Sequence, residues 1–252
     1  MQTLPTRIGV LVPSLDPVVE HDFQRFLPAS ASFHVARLDQ PTSSKPASDE
    51  SLTRMCNLAP PRAQALADLG AELILFCCTS ASFFRGFGWD RELARRIEEA
   101  VGVPALTTST AVAEAFAVLG IRRAFMVTPY PRSINQREQA FFNAHSVEIP
   151  AFTSFECEHS HDIDKVTPGA IVERVLARRA AIDDCDGVFV SCTALRAMET
   201  VEHLEAELDR PVVTSNASAL WAALRRLDID GSGVPAGRLY RCEAEADSAQ
   251  AA

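Results

Sequence analysis

The sequence has no long hydrophobic run, and none of its 252 residues falls in a stretch of the ~18 consecutive apolar residues that a membrane-spanning helix needs. Its first residues show no charged and then apolar export signal. Positive charge is also scarce, with 24 Lys and Arg against 33 Asp and Glu, a net charge of -9 and no basic block interleaved with aromatics. We therefore expect a cytoplasmic protein that contacts neither a membrane nor nucleic acid.

Disulfide and metal-binding patterns are missing as well. The seven cysteines are an odd number, lie scattered through the chain and form no C-x-x-C pair. The six histidines show no H-E-x-x-H spacing, and His159 and His161 stand in a polar stretch that reads as a loop. We therefore expect free thiols and no metal site.

The sequence does contain a regular alternation of strand-like and helical segments. With 47% hydrophobic residues, the chain can bury a substantial core in one large or two small domains. Strand-like runs occupy residues 8–12, 73–77, 124–127 and 188–190. Helices are predicted over residues 60–70, 91–101, 133–144, 168–181 and 199–208. This alternation predicts an α/β fold with parallel strands.

Two separated segments, residues 73–121 and 187–229, follow one plan. In each, a strand leads into a Cys-Thr pair and a helix, and then into a strand that begins with proline, a Thr/Ser turn and a second helix. The cysteines of the two pairs are Cys78 and Cys192. The shared order predicts two similar halves that each place one cysteine at a matching position.

Each Cys-Thr pair falls where a strand is predicted to end and a helix to begin, and ligands of parallel sheets bind at the carboxyl ends of the strands. A helix N-terminus offers free N–H groups and a positive dipole end, which bind a carboxylate and lower a thiol's pKa. The residues predicted to hold a substrate carboxylate are Thr79, Ser80, Thr193, Thr214 and Ser215. The neighbouring Cys77 points the opposite way along its strand and is predicted to be an inert core residue, as are the other cysteines.

If the two halves pack about a pseudo-two-fold axis, Cys78 and Cys192 approach a planar substrate carbon from opposite faces, with Sγ atoms on the order of 6–10 Å apart. One thiolate then removes a proton or attacks carbon while the other thiol donates a proton, which requires neither a metal nor a cofactor. Racemisation, cis–trans isomerisation and stereospecific decarboxylation all suit such a site, so these residues leave the reaction open.

Motifs spread over residues 7–241 carry a family resemblance. They are R-I-G-V-L-V-P-S at residues 7–14, T-S-A-S-F-F-R-G at residues 79–86, V-T-P-Y ending at Tyr130, and S-C-T-A-L-R at residues 191–196 with T-S-N at residues 214–216. They resemble the aspartate/glutamate racemase superfamily, in the branch of maleate cis–trans isomerases, arylmalonate decarboxylases and ectoine-utilisation proteins.

The resemblance implies roles for individual residues. Asp16 stands where maleate isomerases have an Asn that contacts substrate, and Tyr130 matches a Tyr that binds a substrate carboxylate. The T-S-N motif adds Asn216 to the predicted substrate-binding residues. Arylmalonate decarboxylase has Gly at the position of Cys78 and keeps only the cysteine that matches Cys192. Two thiols suit an isomerase or racemase, whereas a single thiol suits a decarboxylase.

The resemblance also implies two flavodoxin-like (Rossmann-like) parallel-sheet halves related by pseudo-two-fold symmetry, with the active site in the cleft between them. Residues 1–111 and 217–241 would form the first half, residues 112–216 the second half, and residues 242–252 a disordered tail. Family members are often dimers or larger, so a homo-oligomer is expected.

The leading hypothesis is a cofactor-independent two-cysteine isomerase or racemase of a small carboxylic or dicarboxylic acid. An arylmalonate-type decarboxylase and a non-catalytic small-acid binding protein are the alternatives.

Overall fold

Two four-stranded parallel sheets with the same strand order form the framework of the protein. The structure is a computed structural model that describes residues 4–40 and 45–242. The first sheet has the order β2-β1-β3-β4 and contains β1 (Thr6–Pro13), β2 (Ala31–Leu38), β3 (Leu73–Phe76) and β4 (Ala105–Thr107). The second has the order β6-β5-β7-β8 and contains β5 (Ala124–Thr128), β6 (Phe152–Ser154), β7 (Gly187–Val190) and β8 (Val212–Thr214). The predicted α/β fold of two parallel-sheet halves is confirmed.

Helices connect successive strands and cover the sheets. The helices that precede β5 in the chain are α1 (Val18–Phe26), α2 (Asp49–Asp68), α3 (Thr79–Phe83), α4 (Trp89–Val101) and α5 (Thr108–Val118). Those that follow β5 are α6 (Arg132–Ala144), α7 (Pro168–Leu176), α8 (Arg179–Ile182), α9 (Val201–Leu208) and α10 (Ser215–Arg226), with 3-10 turns at Ser160–Lys165 and Met198–Thr200. Because helices lie on both faces, every residue of β3, β5, β7 and β8 is buried, which explains their uninterrupted apolar runs.

The two halves repeat each other in strand register. Phe76 at the end of β3 pairs with Thr107, and Val190 at the end of β7 pairs with Thr214. Each of these threonines then caps the helix that follows: the Thr107 side chain accepts a hydrogen bond from the N–H of Thr110, and the Thr214 side chain accepts one from the N–H of Ala217. The internal repeat seen in the sequence is therefore a repeat of tertiary structure.

Helix α2 differs from its prediction. Pro60 suggests a helix start, yet the helix begins eleven residues earlier at Asp49, where the Ser48 side chain caps it by accepting a hydrogen bond from the N–H of Ser51. The prolines at 60 and 61 lie inside the helix. The apolar face that α2 buries explains this difference, because tertiary packing outweighs the local preference of proline for a first turn. Its buried apolar residues are Leu52, Met55, Cys56, Ala59, Ala63 and Leu66.

Helix α10 joins the halves. All of its residues from Ser215 to Leu224 are buried, and it packs on α5 while also contacting α1 and β3 of the first half. A bidentate ion pair between Arg226 and Glu114 links α10 to α5. The division of the chain at residues 112 and 217 stays a prediction, and residues 243–252 of the predicted tail lie outside the described residues. None of the described helices is long and apolar enough to cross a membrane.

Candidate active site

The chain order of each sheet creates a crevice at the carboxyl ends of its two central strands. The chain leaves β1 toward β2 on one side and returns to β3 on the other, so the loops after β1 and β3 diverge, and the same holds for β5 and β7. The first of these loops holds Asp16, and the loop that follows β3 holds Cys78. In the second half, Tyr130 and Cys192 occupy the corresponding loops.

These four loops meet at one cleft between the halves, with about 430 Å³ of space that is partly open to solvent. Its polar lining residues are Asp16, Gln40, Cys78, Ser80, Tyr130, Ser160, Cys192 and Thr193. Its apolar lining residues are Pro13, Leu15, Pro46, Ala47, Leu52, Met55, Ile163 and Ala194. No Arg, Lys or His is among the described residues that line the cleft.

Cys78 lies where the sequence predicts, at the N-terminus of α3. Its Sγ lies 3.7 Å from the Ser80 Oγ, and the Ala81 N–H also hydrogen-bonds the sulfur. Burial nevertheless raises the pKa of Cys78 to about 11, because loss of water outweighs these hydrogen bonds. The prediction that a helix N-terminus lowers this pKa is therefore wrong, and α3, with five residues, is too short to supply a strong dipole.

Cys192 departs further from its predicted surroundings. A turn follows it rather than a helix: the Leu195 N–H bonds to the Cys192 carbonyl oxygen, and regular α-helix starts only at Val201. The Cys192 backbone has a φ of 106°, in the left-handed region where a side chain is strained. Burial raises the pKa of the Cys192 thiol well above its usual range, although the Tyr130 hydroxyl donates a hydrogen bond that lowers it in part. Both cleft thiols are therefore protonated before a ligand binds.

Four predicted substrate-binding residues are not on the cleft wall: Thr79, Thr214, Ser215 and Asn216. Substrate contact by Thr214, whose side chain caps α10, stays a prediction. The Thr79 hydroxyl donates to the Ser215 Oγ at 2.8 Å, and the Cys192 N–H donates to the same oxygen at 3.0 Å. Asn216 donates from Nδ2 to the Thr193 carbonyl oxygen at 2.9 Å and to an Asp22 carboxylate oxygen at 2.7 Å. These bonds tie the two cysteine loops to each other and to α10. Substrate contact by Thr79, Ser215 and Asn216 stays a prediction.

Glu138 on α6 is a buried acid that the sequence analysis missed. It is fully buried, and its Oε1 accepts a hydrogen bond from the hydroxyl of Ser191, the residue before Cys192. Burial raises the pKa of Glu138 to about 8, so this carboxyl group is mainly neutral at pH 7. The available signal is a polar residue within the apolar face of α6, between Ile134 and the pair Phe141 and Phe142.

A second feature that the sequence analysis missed is a hydrogen bond between two residues that line the cleft. Gln40 follows β2, and its Nε2 donates a hydrogen bond of 2.9 Å to the Ser160 Oγ of the other half. Gln40 is itself held by Ser14, whose hydroxyl oxygen accepts from the Gln40 N–H at 2.9 Å. Nothing in the local sequence marks either loop as part of the site, because the contact joins positions 120 residues apart.

The loop that contains Ser160 also carries a cluster of potential metal ligands. Ligand atoms of His159, His161 and Asp162 lie within 4.8 Å of one another. Asp162 already accepts a hydrogen bond of 2.7 Å from the Lys165 Nζ, and that ion pair lowers the pKa of its carboxyl group. The cluster is partly exposed and is explained as a surface ion-pair network, so no chemistry is assigned to it.

Comparisons with known proteins agree with this geometry. The family model described as arylmalonate decarboxylase matches residues 8–240. Arylmalonate decarboxylase of Bordetella bronchiseptica is 31% identical over 182 residues, which are 71% of this chain and 75% of that protein. Maleate isomerase of Nocardia farcinica is 29% identical over 247 residues, which are 93% and 95% of the two chains.

A solved structure of a Nocardia farcinica maleate cis–trans isomerase mutant, with a covalently bound succinylcysteine intermediate, superposes with a TM-score of 0.83. It is 25% identical and covers 93% of this chain and 98% of its own. The relatives thus include two of the three reactions that the two cysteines leave open, namely decarboxylation and cis–trans isomerisation.

Proposed function

Because the chain belongs to the arylmalonate decarboxylase family, and because two cysteines line its cleft, we propose that it is a cofactor-independent isomerase or racemase of a small carboxylic or dicarboxylic acid. The observation that carries this proposal is the equivalent placement of Cys78 and Cys192 after the central strands of the two halves. A decarboxylase needs one proton donor, whereas chemistry on both faces of a planar carbon needs two acid–base groups.

Burial raises the pKa of both thiols, and it raises that of Cys192 more, so Cys192 is the thiol that keeps its proton and is available as the acid. We assign Cys78 as nucleophile or base and Cys192 as its partner acid. The Tyr130 hydroxyl, which hydrogen-bonds the Cys192 sulfur, stabilises that thiol whenever it loses its proton.

For a cis–trans isomerisation the steps balance without a further reactant. The Cys78 thiol first loses its proton to water at the side of the cleft that is open to solvent. The resulting thiolate forms a carbon–sulfur bond to one alkene carbon while Cys192 gives its proton to the other, which turns the double bond into a single bond. After rotation about that bond, the Cys192 thiolate takes a proton back and the carbon–sulfur bond breaks, leaving the trans acid and both original groups. The covalent succinylcysteine of the Nocardia farcinica mutant supports the first step by similarity.

For a racemisation the same pair acts without the covalent bond. The Cys78 thiolate removes the proton from the α-carbon on one face, and Cys192 returns a proton on the opposite face. The intermediate carries extra negative charge on its carboxylate oxygens. The hydroxyl groups of Ser80 and Thr193 on the cleft wall are placed to stabilise that charge as hydrogen-bond donors.

Residue roles and setting complete the proposal. Cys78 and Cys192 are the catalytic residues, and Asp16, Ser80, Tyr130 and Thr193 contact the substrate. The residues behind them, Thr79, Ser215 and Asn216, position the cysteine loops and remain candidates for substrate contact through their N–H groups. A homo-oligomer in the cytoplasm fits the family resemblance and the seven free thiols, which a reducing compartment preserves.

The arylmalonate-type decarboxylase is the second candidate, and the Bordetella bronchiseptica relative favours it. The two functions differ in whether they need Cys78. A decarboxylase expels CO2 and removes no proton from carbon, so it has no task for a second thiol. Cys78→Gly should therefore abolish isomerisation or racemisation while sparing any decarboxylation, and Cys192→Ala should impair either reaction. Cys77→Ala is the matched control, since this adjacent cysteine lies in the core outside the cleft wall.

The deciding experiment follows the purified protein by proton NMR in D2O with maleate, with enantiopure α-substituted acids and with an arylmalonate. Fumarate formation or exchange of the α-proton for deuterium, lost in Cys78→Gly and kept in Cys77→Ala, would support the proposal. Release of CO2 from the arylmalonate with neither of those signals would replace it with the decarboxylase. Calorimetric binding of these acids without any turnover would favour a non-catalytic binding protein.

A further inference from the structure

Asp16 presents an unpaired carboxylate oxygen at the cleft. Its Oδ1 accepts hydrogen bonds from the N–H groups of Val18 at 2.9 Å and Val19 at 3.3 Å, which fix the side chain at the start of α1. The residue is 3% exposed and lines the cleft. Its Oδ2 is buried and makes no hydrogen bond of normal geometry in the part of the chain that the structure describes, although the Thr193 hydroxyl lies near enough to the carboxyl group to lower its pKa. A buried charged oxygen without a partner is costly, so a ligand group that satisfies it would be favoured.

The ionisable groups around Asp16 do not neutralise it. Arg37 on β2 directs its guanidinium to the Asp16 main-chain carbonyl oxygen at 2.7 Å and to the Glu20 carboxylate. The other titratable groups that interact with Asp16 are acids: Asp22 on α1 and the cysteines at positions 77, 78 and 192 after the central strands. Burial raises the pKa of Asp16 to about 6, so at neutral pH it is mainly ionised and acts only as an acceptor.

We propose that Asp16 determines specificity by selecting an acid that has one carboxylate and, at its other end, a hydrogen-bond donor such as an amide, ammonium or hydroxyl group. A second carboxylate at that end would place two acceptors face to face in a cleft whose described lining has no cation. The carboxylate of the substrate lies instead toward the hydroxyl donor Ser80. This inference rests on the proposed function for the orientation of the substrate, but its test does not depend on turnover.

The test compares ligands that cannot isomerise: succinate, its monoamide succinamate, and 4-aminobutanoate. Their dissociation constants are measured by isothermal titration calorimetry at pH 7.5 and pH 5.5. At pH 7.5 the wild type should bind at least one of the two donor-bearing ligands roughly 10- to 100-fold more tightly than succinate, the range expected for a hydrogen bond to a charged group. At pH 5.5 the preference should shrink, because protonated Asp16 can donate to the second carboxylate of succinate.

Two variants separate the role of Asp16 from general charge effects. Asp16→Asn keeps the shape and supplies a donor, so the preference should fall several-fold and no longer change with pH. Asp68→Asn is the control, because this acid at the end of α2 is exposed, does not line the cleft and should leave the ligand preference at its wild-type value. Circular dichroism spectra of both variants verify that they are folded.

The outcomes distinguish this inference from the proposed function. If succinate binds as tightly as both donor-bearing ligands at pH 7.5, or if none of the three binds at millimolar concentration, the inference is overturned whatever the turnover assays show. If the preference and its loss in Asp16→Asn are observed while every isomerisation assay is negative, the inference stands and the proposed function falls. A preference that persists unchanged in Asp16→Asn would assign selection to another residue and overturn it as well.

Discussion

Replacement of the buried acid Glu138 by Gln should stabilise the protein, and more so at higher pH. Glu138 is fully buried beneath the Cys192 loop, and its Oε1 accepts a hydrogen bond from the Ser191 hydroxyl. Burial raises its pKa from 4.5 to about 8, so the folded protein holds a proton there that the unfolded chain releases near neutral pH. Gln has the shape of the protonated acid and needs no proton.

The magnitude follows from the difference between the two pKa values. Because the folded-state pKa lies above the unfolded one, this group lowers stability progressively as the pH rises from about 4.5 to about 8. The cost of protonating Glu138 on folding is roughly 3 kcal/mol at pH 7 and under roughly 1 kcal/mol at pH 5. Glu138→Gln removes that cost, so its gain in the free energy of unfolding should grow by roughly 2 kcal/mol between these two pH values.

Urea denaturation at pH 5, 6, 7 and 8, followed by far-UV circular dichroism, measures the gain directly. Other buried acids with raised pKa values, Asp16 and Asp22, contribute equally to wild type and variant and cancel in the difference. Glu207→Gln, on the exposed side of α9, is the control and should change stability by less than about 0.5 kcal/mol at every pH. A difference for Glu138→Gln that is constant with pH, or a destabilisation that grows with pH, would refute a neutral Glu138.

Two further predictions concern the cysteine loops. Ser215→Ala removes the acceptor of both the Thr79 hydroxyl and the Cys192 N–H, so it should lower the free energy of unfolding by about 2–4 kcal/mol in urea denaturation. Thr79→Val should lower it by less, and equal effects of the two variants would contradict a shared acceptor. In a variant whose two partly exposed cysteines are changed to Ser, iodoacetamide should alkylate Cys78 before Cys77. The rate of this alkylation should rise as the pH approaches the Cys78 pKa of about 11. Peptide mass mapping measures the order in which the cysteines are alkylated, and faster labelling of Cys77 would count against a reactive Cys78.

The repeat in the sequence predicts much of the active site because sequence order and strand order coincide in this fold. Each Cys follows a central strand of its sheet, and parallel strands present their carboxyl ends at one edge. Once two such units are recognised, Cys78 and Cys192 are expected at a common cleft, where the structure places them. Asp16 and Tyr130, which the family resemblance rather than the repeat predicts, lie in the loops after β1 and β5 and line the same cleft.

The roles of the Thr/Ser turns could not be predicted in this way. Thr79 and Ser215 stand beside the cysteines in sequence, yet their hydroxyls bond to each other behind the cleft. Whether a side chain at such a turn faces a ligand or a neighbouring loop depends on how the other half packs against it. That packing is set by α10, whose buried face contacts both halves.

The sequence by itself determined the α/β class, the two-fold repetition and the two candidate thiols, because these depend on local periodicity and on residues next to each other in the chain. The tertiary structure alone decided the ionisation of the site. The thiols at 78 and 192, Asp16 and Glu138 all have raised pKa values because surrounding segments remove their water, and no local pattern reports that loss. The tertiary structure also decided that Gln40 and Ser160, far apart in the chain, form a hydrogen bond across the cleft. A single hydrogen bond between two loops leaves no pattern in the sequence of either loop.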